Sequence, residues 1–314
     1  MAGGVVLVVG SGRDGVIRAI RSELLRRKIE TGFVDEDDAG AYAVVVRRSH
    51  ARTGSFNVRG GDCVGHRPVI GMFLRHTHPS IRGAPMDVDA LARLQLGVDE
   101  VADAAKCPVV NRPRAAVSNY SKFGQVVLLA RAGFSVPRTL VTSIPEEARA
   151  FLERHGGRAI LKGASNVPTL ASLIDRRWVS RLRLVRNCPV LLQEYIPGDD
   201  VRVHVIGDTT VATRLVSRDE DYRRALRRDP TAVRVEPTTL SASLRSLAVR
   251  VTRRLGLMVA GLDFKRTREG RLVCLELNPY PQFTFYERAG GQVITRKVVD
   301  LLLAPRPRRS VVFA

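Results

Sequence analysis

The chain has 314 residues, of which 45% are hydrophobic and 26% charged, and its formal net charge is +20. This length exceeds that of most single domains and predicts two or three of them. No apolar run approaches the roughly 20 residues that a membrane-spanning helix needs. The first residues, MAGGVVLVVG, lack the basic segment of a signal peptide, so we expect a cytoplasmic protein without a membrane partner.

The basic residues are almost all arginine, since only six of the 51 are lysine. A surface of this charge attracts nucleic acid or acidic substrates, although a general compositional bias toward arginine explains the number equally well. Because the arginines are scattered and only 5% of residues are aromatic, nucleic acid is left open as a partner but is not favoured. We expect an anionic small molecule or an acidic peptide as substrate, and a homo-oligomer stays open.

The first predicted elements form a β-α-β opening. Residues 4–10 (GVVLVVG) indicate a buried strand, residues 13–29 a helix with one apolar face, and YAVVV at 42–46 a second strand. The stretch 50–85 is rich in glycine, arginine and histidine and predicts no regular element. A first domain with a β-α-β opening and a boundary near residue 113 is therefore expected.

Two motifs in this domain suggest other functions. GSGRDG at 10–15 matches the GxGxxG fingerprint of NAD-binding proteins, with Asp35 at a suitable distance beyond it, but a glycine turn is also a common strand-to-helix connection. A zinc site could be drawn from four side chains, Cys63, His66, His76 and His78. Their spacing fits no standard zinc pattern, and the four cysteines of the chain form no CxxC pair, so neither zinc nor disulfides are predicted.

Helices and strands alternate through the rest of the chain, which indicates an α/β protein. SNYSKFGQVVLLARAGFSVPRTLV reads as a capped helix, a turn and a strand, and a second helix begins at Pro145. AILKG is a short strand, CPVLLQEYIPGDDVRVHVIGDTTVATRLVS contains three strands, and 241–255 has helical spacing behind a serine cap.

The apolar strand LVCLELNPYP carries a carboxylate, Glu276, and an amide, Asn278, on one face. If Glu269 and Gly270 form a two-residue turn with the preceding strand VAGLDFKR, Asp263 lies directly opposite Glu276. Adjacent carboxylates repel unless a cation binds between them, and this all-oxygen set suits Mg²⁺, or Mn²⁺ in its place. A solvated hairpin face with ordinary polar residues is the alternative interpretation.

These residues, together with the lysines of SNYSK (Lys122) and AILKG (Lys162), LLQEYIPGDDVRVHVIGD and DYR, resemble the ATP-grasp carbon–nitrogen ligases. The similarity covers about residues 110–303 and is greatest to the branch of glutathione synthetase-like and ribosomal-protein glutamate ligases. It implies an α/β ATP-grasp fold in four segments: a Rossmann-like, acceptor-binding domain at 1–113, a small central α+β domain at 114–189, a C-terminal catalytic domain at 190–304 and a flexible basic tail at 305–314.

The resemblance also implies roles for individual residues. Lys122 and Lys162 would hold the α and β phosphates of ATP, and Arg202 and Arg223 would contact the γ-phosphate in catalysis. The positions implied for adenine and ribose are Gln193, Glu194, Tyr195, Ile196 and Asp200. The implied ligands of the metal are Asp263, Glu276 and Asn278. The reaction would activate a carboxylate as an acyl phosphate, which an amine attacks to form an amide, with release of ADP and phosphate.

For the substrate, we expect anion-binding arginines at Arg47 and Arg75, in the arginine-rich and glycine-rich stretch of the first domain, and at Arg214. One departure from the family is KGASNVPTL, which has a single glycine where the family has a glycine-rich lid over the phosphates. Two alternatives stay open: an enzyme that forms side-chain amides or esters on a ribosomally made acidic peptide, and a nucleotide-binding regulatory protein without ligase activity.

Overall fold

The computed structural model describes residues 4–47, 55–59, 68–76, 87–164, 171–217, 219, 222–229, 231–291 and 293–304. The predicted Arg47 lies in this range by its backbone alone, and the Ser165–Thr169 segment of the expected lid lies outside it. Within the described residues, no helix is long and apolar enough to cross a membrane.

The N-terminal part is a parallel four-stranded sheet with helices. Its elements are β1 (Val5–Gly10), α1 (Gly15–Arg26), β2 (Thr31–Asp35), β3 (Ala43–Arg47), β4 (Ser55–Arg59), β5 (Val69–Arg75), α2 (Val88–Ala104) and β6 (Val109–Val110). The strand order is β2-β1-β5-β6, and β3 and β4 form a separate antiparallel pair. The Rossmann-like prediction is confirmed in its parallel β-α-β opening.

The second strand of that opening was predicted in the wrong place. YAVVV is a strand, β3, but it pairs with β4, whereas the parallel neighbour of β1 is β2, with the sequence TGFVD. Only Phe33 and Val34 in β2 are large apolar residues, and Gly32 fills a buried position, so the apolar pattern is weak. The stronger apolar run belongs to the smaller sheet.

The central part is an antiparallel sheet of short strands. Its elements are α3 (Lys122–Ala132), β7 (Thr139–Thr142), α4 (Pro145–Arg154), β8 (Arg158–Gly163), β9 (Ser172–Asp175) and β10 (Val190–Glu194), and a 3-10 helix spans Arg176–Asn187. The sheet order is β7-β10-β8-β9. Since β10 pairs with both β7 and β8, the predicted boundary after residue 189 falls inside this sheet, and residues 190–194 belong to the central part.

The C-terminal part is built on a five-stranded antiparallel sheet. Its elements are β11 (Asp199–Ile206), β12 (Thr209–Ser217), α5 (Tyr222–Arg228), β13 (Val233–Thr238), α6 (Ala242–Arg254), β14 (Val259–Arg266), β15 (Leu272–Asn278), α7 (Thr284–Gly290) and α8 (Ile294–Leu303). The strand order is β13-β12-β11-β14-β15, so β15 is an edge strand.

The two faces of this sheet bury different neighbours. One face packs on α3 and α6 through residues such as Val203 and Leu262. The other face shares a core with α8 and the N-terminal domain, in which Ile206 and Phe283 join Val6. Burial at roughly 25 cal/mol per Å² of apolar surface therefore fixes the sheet between two layers and ties the N-terminal domain to it.

The β14–β15 hairpin confirms the pairing of Asp263 with Glu276, but the predicted two-residue turn is wrong. The loop has three residues, 268–270, and Gly270 has the positive φ of 82° that such loops require. This loop shifts the register by one residue, and a β-bulge at Leu275 shifts it back. The two deviations cancel where the candidate ligands lie.

Candidate functional site

Five of the predicted site residues lie on one face of the C-terminal sheet. In β11, Asp200 and Arg202 are two positions apart and point to the same side. Arg202 lies opposite Asp263 in β14, and Asp263 lies opposite Glu276 in β15. Asn278 follows on the same face, so three neighbouring strands present these groups to one region.

Asp263 is the electrostatic centre of this face. Its Oδ1 accepts a hydrogen bond from Arg202 Nη1 at 2.6 Å, and its Oδ2 lies 3.4 Å from Arg223 Nη2. Burial alone would raise the pKa of Asp263, but the guanidinium groups of Arg202 and Arg223 outweigh burial and lower the pKa to about 2. The carboxylate is therefore ionised near neutral pH, and its charge is shared between the two arginines.

A cavity of about 330 Å³ opens above Asp263. Its lining combines cations, candidate metal ligands and aromatic rings: Arg75, Arg202, Tyr222, Arg223, Asp263, Glu276, Asn278, Tyr280, Gln282, Phe285 and Tyr286. Arg75 reaches it from the end of β5 in the N-terminal domain, where its guanidinium contacts Asp14 at 2.9 Å and the carbonyl of Tyr280 at 2.7 Å. The cavity thus lies between the N-terminal and C-terminal domains.

A second, smaller pocket of about 40 Å³ contains both predicted lysines. Lys122 lies at the first position of α3, and Lys162 lies on β8, with its Nζ 3.0 Å from the side-chain oxygen of Gln193. Burial and the ammonium group of Lys162 lower the pKa of Lys122, while Glu276 acts in the opposite sense. Two ammonium groups side by side make this pocket cationic, which suits an anion.

Glu276 lines both the lysine pocket and the large cavity. The bulge explains this position, because Leu275 and Glu276 together oppose Asp263, and Leu275 also lines the lysine pocket. Cys274 and Leu277 face the buried core on the opposite side. The lysines of the central sheet and the carboxylates of the C-terminal sheet are thereby adjacent.

The predicted adenine segment follows the lysine pocket along β10. Gln193 is buried, Ile196 is nearly so, and the Glu194 carboxylate accepts the N–H of Arg138 at 3.1 Å. The guanidinium of Arg158 stacks over the Tyr195 ring at 4.1 Å. These contacts fix the backbone from Glu194 to Ile196 beside the pocket.

Asp200, the predicted ribose contact, pairs with Lys265 at 2.9 Å. Burial raises the pKa of Asp200 to about 6, against the opposing effect of the Lys265 ammonium group. Lys265 was not predicted. Lys265 lies opposite Asp200 in the β11–β14 pairing, just as Asp263 lies opposite Arg202. A prediction of that pairing from the sequence would have located Lys265.

Of the other two predicted substrate arginines, one lies away from the cavity and the side chain of the other is not described. Arg214 lies on the opposite face of the sheet, next to Val201, and its guanidinium pairs with Asp199 at 2.5 Å and Glu236 at 3.6 Å. The side chain of Arg47 lies outside the described residues, although its backbone ends β3. Of the three, Arg75 alone lines the cavity among the residues that the structure describes.

The rejected zinc site involves one described residue. His76 bridges two carboxylates, with Nδ1 2.5 Å from Glu36 and Nε2 2.7 Å from Asp99. Burial would lower the pKa of His76, but Asp99 and Glu36 raise it to about 9, so the ring is a cation that pairs with both carboxylates. Cys63, His66 and His78 lie outside the described residues.

The glycine loop at 10–15 is filled by the protein's own carboxylates. Asp14 caps α1 by accepting the N–H groups of Val16 and Ile17, and Asp35 accepts the N–H of Gly12 at 2.9 Å. A pyrophosphate bound in a GxGxxG loop uses such donors. The arrangement therefore does not favour NAD.

Sequence reasoning missed the aromatic wall of the cavity. Tyr222 and Tyr286 share a hydrogen bond between their hydroxyl groups at 2.8 Å, and the Arg202 guanidinium lies over the Tyr286 ring at 5.6 Å. Burial raises the pKa of Tyr222 well above its ordinary value. The position of Tyr222 in DYR was a usable signal, whereas Tyr286 on α7 approaches from a region without a motif.

The oxygen atoms of Asp263, Glu276 and Asn278 are of the kind that binds a divalent cation. Asp263 and Glu276 are neighbours across two strands, and Asn278 adds an amide oxygen on the same face. Over the described ranges, no three histidine, cysteine, aspartate or glutamate side chains are grouped to hold a metal. A cation here would take two carboxylates, the amide and ligands from outside the chain, which is the pattern of Mg²⁺ with phosphates and water.

The family model for a RimK-like ATP-grasp domain matches residues 119–302. A probable alpha-L-glutamate ligase from Haemophilus influenzae is 27% identical over 202 residues, which are 62% of this chain and 66% of that protein. The match therefore spans just under two thirds of this curated relative.

Solved structures match over more of the chain. The ATP-grasp ligase PsnB complexed with its minimal precursor is 28% identical, with a TM-score of 0.78 over 95% of this chain and 97% of that chain. PsnB was also solved with a phosphomimetic variant of that precursor, Mg and ADP. A RiPP-associated ATP-grasp ligase from Chryseobacterium gregarium, 16% identical, shares the fold with a TM-score of 0.79 over 99% of this chain and 100% of that chain. The predicted α/β ATP-grasp fold is confirmed.

Proposed function

The chain belongs to the RimK-like ATP-grasp family, and from this premise we propose that it is an ATP-dependent carboxylate–amine ligase. The observation that carries the proposal is the adjacency of two pockets at Glu276, one with two lysines and one with arginines and carboxylates. The first suits the phosphates of a nucleotide, and the second suits the carboxylate that receives the transferred phosphoryl group.

In this proposal the nucleotide binds along β10. Lys122 and Lys162 neutralise its α and β phosphates, the backbone from Glu194 to Ile196 contacts the adenine edge, and Asp200 contacts the ribose. Asp263, Glu276 and Asn278 hold Mg²⁺ or Mn²⁺. The cation supplies neutralisation of the charge that the phosphates carry during transfer.

The side chains then position two successive reactions. A substrate carboxylate oxygen forms a bond to the γ-phosphorus while the bond from that phosphorus to the β–γ bridging oxygen breaks, and ADP leaves with the electron pair. Arg202 and Arg223 stabilise the negative charge on the transferring group. An amine nitrogen then attacks the acyl carbon, phosphate leaves, and the nitrogen loses a proton, which gives the amide. No nucleophile of the protein is required.

The substrate in this proposal is anionic. Three guanidinium groups, those of Arg75, Arg202 and Arg223, line the cavity against two carboxylates. Asp14 already pairs with Arg75, so occupation of the metal site would offset the two lining carboxylates and leave an excess of positive charge at Arg202 and Arg223. Arginine forks bind carboxylates through two parallel hydrogen bonds, which adds orientation to attraction.

A ribosomally made acidic peptide is the second candidate substrate. The match with PsnB, which was solved with a peptide precursor, extends over 95% of this chain and includes the N-terminal domain, whereas the match with the glutamate ligase covers 62%. A peptide would enter between the N-terminal and C-terminal domains, where Arg75 meets the cavity.

Release of ADP tests the proposal. The purified protein with ATP and Mg²⁺ is assayed with free glutamate, with acidic peptides and without an acceptor, and product masses identify the bond formed. We expect ADP release that depends on the acceptor. Nucleotide binding without ADP release under any of these conditions would instead identify a regulatory protein.

A further inference from the structure

Two buried carboxamides contact the main chain on either side of Asn278. Gln125, on α3, accepts the N–H of Leu277 at 2.9 Å and donates to the carbonyl of Leu277 at 2.7 Å. Asn111, which follows β6, donates to the carbonyl of Pro279. Both side chains are almost fully buried, with 6% and 1% of their surfaces exposed.

The Gln125 side chain makes the two hydrogen bonds to β15 that a neighbouring strand would otherwise make. Among the strands that the structure describes, none pairs with the outer edge of β15, so its outer N–H and C=O groups need other partners. The carboxamide of Gln125 offers one acceptor and one donor, as a backbone peptide does, and it satisfies both groups of Leu277. Leu277 lies between Glu276 and Asn278, so this contact fixes the backbone that carries both candidate ligands.

Asn111 fixes the same segment from the N-terminal domain. Its Oδ1 accepts the N–H groups of Met258 and Val259, at 2.9 and 3.0 Å, and its Nδ2 donates to the carbonyls of Val259 and Pro279. The start of β14 and the end of β15 are therefore joined through one side chain. These four contacts use both lone pairs and both N–H groups of the amide.

We propose that Gln125 and Asn111 are positioning residues of the metal site, a carboxamide clamp on residues 277–279. The clamp holds Glu276 and Asn278 toward Asp263 and, because Gln125 lies one helical turn after Lys122, it also sets the distance between the phosphate pocket and the metal ligands. This role in catalysis rests on the proposed function. The clamp itself is a property of the fold and can be measured without activity.

Hydrogen exchange of the Leu277 amide tests the clamp directly. Gln125→Met keeps the volume of the side chain but removes both hydrogen bonds, and we expect about 5- to 10-fold faster exchange of this amide. Gln125→Glu keeps an oxygen that accepts the Leu277 N–H, but it loses the N–H that donates to the Leu277 carbonyl and sets a buried carboxylate against that oxygen, so exchange should be faster than in the wild type here as well. A side chain that merely fills space predicts instead that exchange in Gln125→Met stays at the wild-type rate.

Gln95→Met is the matched control. Gln95 is a partly buried glutamine on α2, whose amide donates to Glu36 at 3.1 Å, and its replacement should leave exchange at Leu277 unchanged. If Gln125→Met does not fold, Gln125→Asn replaces it, because the shorter amide cannot reach both groups of Leu277. Exchange at the wild-type rate in the folded Met or Asn variant would overturn the clamp.

Metal dependence tests the positioning role. The Mg²⁺ concentration for half-maximal binding of a fluorescent ATP analogue is expected to rise about 10- to 100-fold in Gln125→Met. An unchanged Mg²⁺ requirement alongside faster exchange would reject positioning of the metal ligands. If the wild type binds no Mg²⁺-nucleotide, the proposed function fails, while the exchange rates still decide whether the clamp exists.

Discussion

Two segments of this chain carry motifs of nucleotide-binding proteins, the glycine loop at 10–15 and the hairpin that ends in ELN, and they differ in what surrounds them. At the loop, Asp14 and Asp35 occupy the backbone donors that a pyrophosphate would need. At the hairpin, Glu276 and Asn278 line a cavity with room for a ligand, although Asn278 Oδ1 also accepts the N–H of Tyr280 at 2.8 Å. A motif becomes a site when the fold leaves space for a ligand beside its polar groups, and the sequence motif alone does not show whether that space exists.

The same contrast applies to the charges of the two regions. In the N-terminal domain, the His76 ring forms ion pairs with Glu36 and Asp99, so these charges are neutralised within the protein. In the C-terminal sheet, Asp263 is held ionised by arginines that themselves line the cavity. The first arrangement should stabilise the fold, and the second should bind ligands.

Glu276→Gln tests the hairpin and has the largest expected effect. It removes the charge of a candidate ligand with little change in volume, so ADP release should fall about 100- to 1000-fold while the thermal midpoint stays within a few degrees of the wild type. Glu269→Gln, on the exposed loop of the same hairpin, should retain full activity. Wild-type turnover in Glu276→Gln would show that the hairpin, like the glycine loop, has a structural role and no role in catalysis.

Raising the pH tests the ion pairs of His76. Since the folded pKa of about 9 lies above the unfolded value near 6.5, the stability from this group is complete below about pH 6.5 and is lost as the pH rises to about 9. The loss is on the order of 3 kcal/mol in the free energy of unfolding. Denaturant titrations should show this slope in the wild type and not in His76→Gln. Parallel pH profiles for both proteins would contradict it.

Arg75→Gln tests the single N-terminal arginine shown to line the cavity among the described residues. If its guanidinium binds the anionic substrate, the KM for that substrate should rise about tenfold, with the affinity for ATP near that of the wild type. Raising the salt concentration should weaken substrate binding in the wild type more than in the variant. Arg13→Gln, on the exposed glycine loop, is the control. An unchanged KM with no effect of salt would make Arg75 an interdomain contact only.

Local patterns in the sequence predicted the elements that build the site. The alternation in ELN and the position of Asp263 gave the correct pairing, although the turn was wrong, because the three-residue loop and the bulge at Leu275 offset each other. Short apolar patterns do not reveal bulges, since one extra residue changes no composition. The predicted pairing of Asp263 with Glu276 was therefore correct partly because two errors in the predicted register cancelled.

The parts that were missed depend on contacts between distant residues. Gln125 meets Leu277, 152 positions away, and Asn111 meets Pro279, 168 positions away. Neither has a local signal, because a buried amide in a helix or after a strand resembles any polar residue in the sequence. The strand β10 was assigned to the wrong sheet for the same reason, since its partners β7 and β8 are set by tertiary pairing.

Gly12→Ala in the glycine loop has the smallest expected effect. An added methyl group would lie 2.7 Å from Asp35 Oδ2, and moving that carboxylate weakens its hydrogen bonds to the N–H groups of Gly12 and Asp37, so stability should fall by about 1 kcal/mol while binding of Mg²⁺-ATP changes less than twofold. Gly10→Ala is the contrast, because its φ is +150° and the methyl group would lie 2.6 Å from the carbonyl oxygen of Arg75, so this variant should lose more stability. Calorimetry with NAD should show no binding to either variant or to the wild type. Micromolar NAD affinity that Gly12→Ala abolishes would reverse the comparison and make the glycine loop a ligand site.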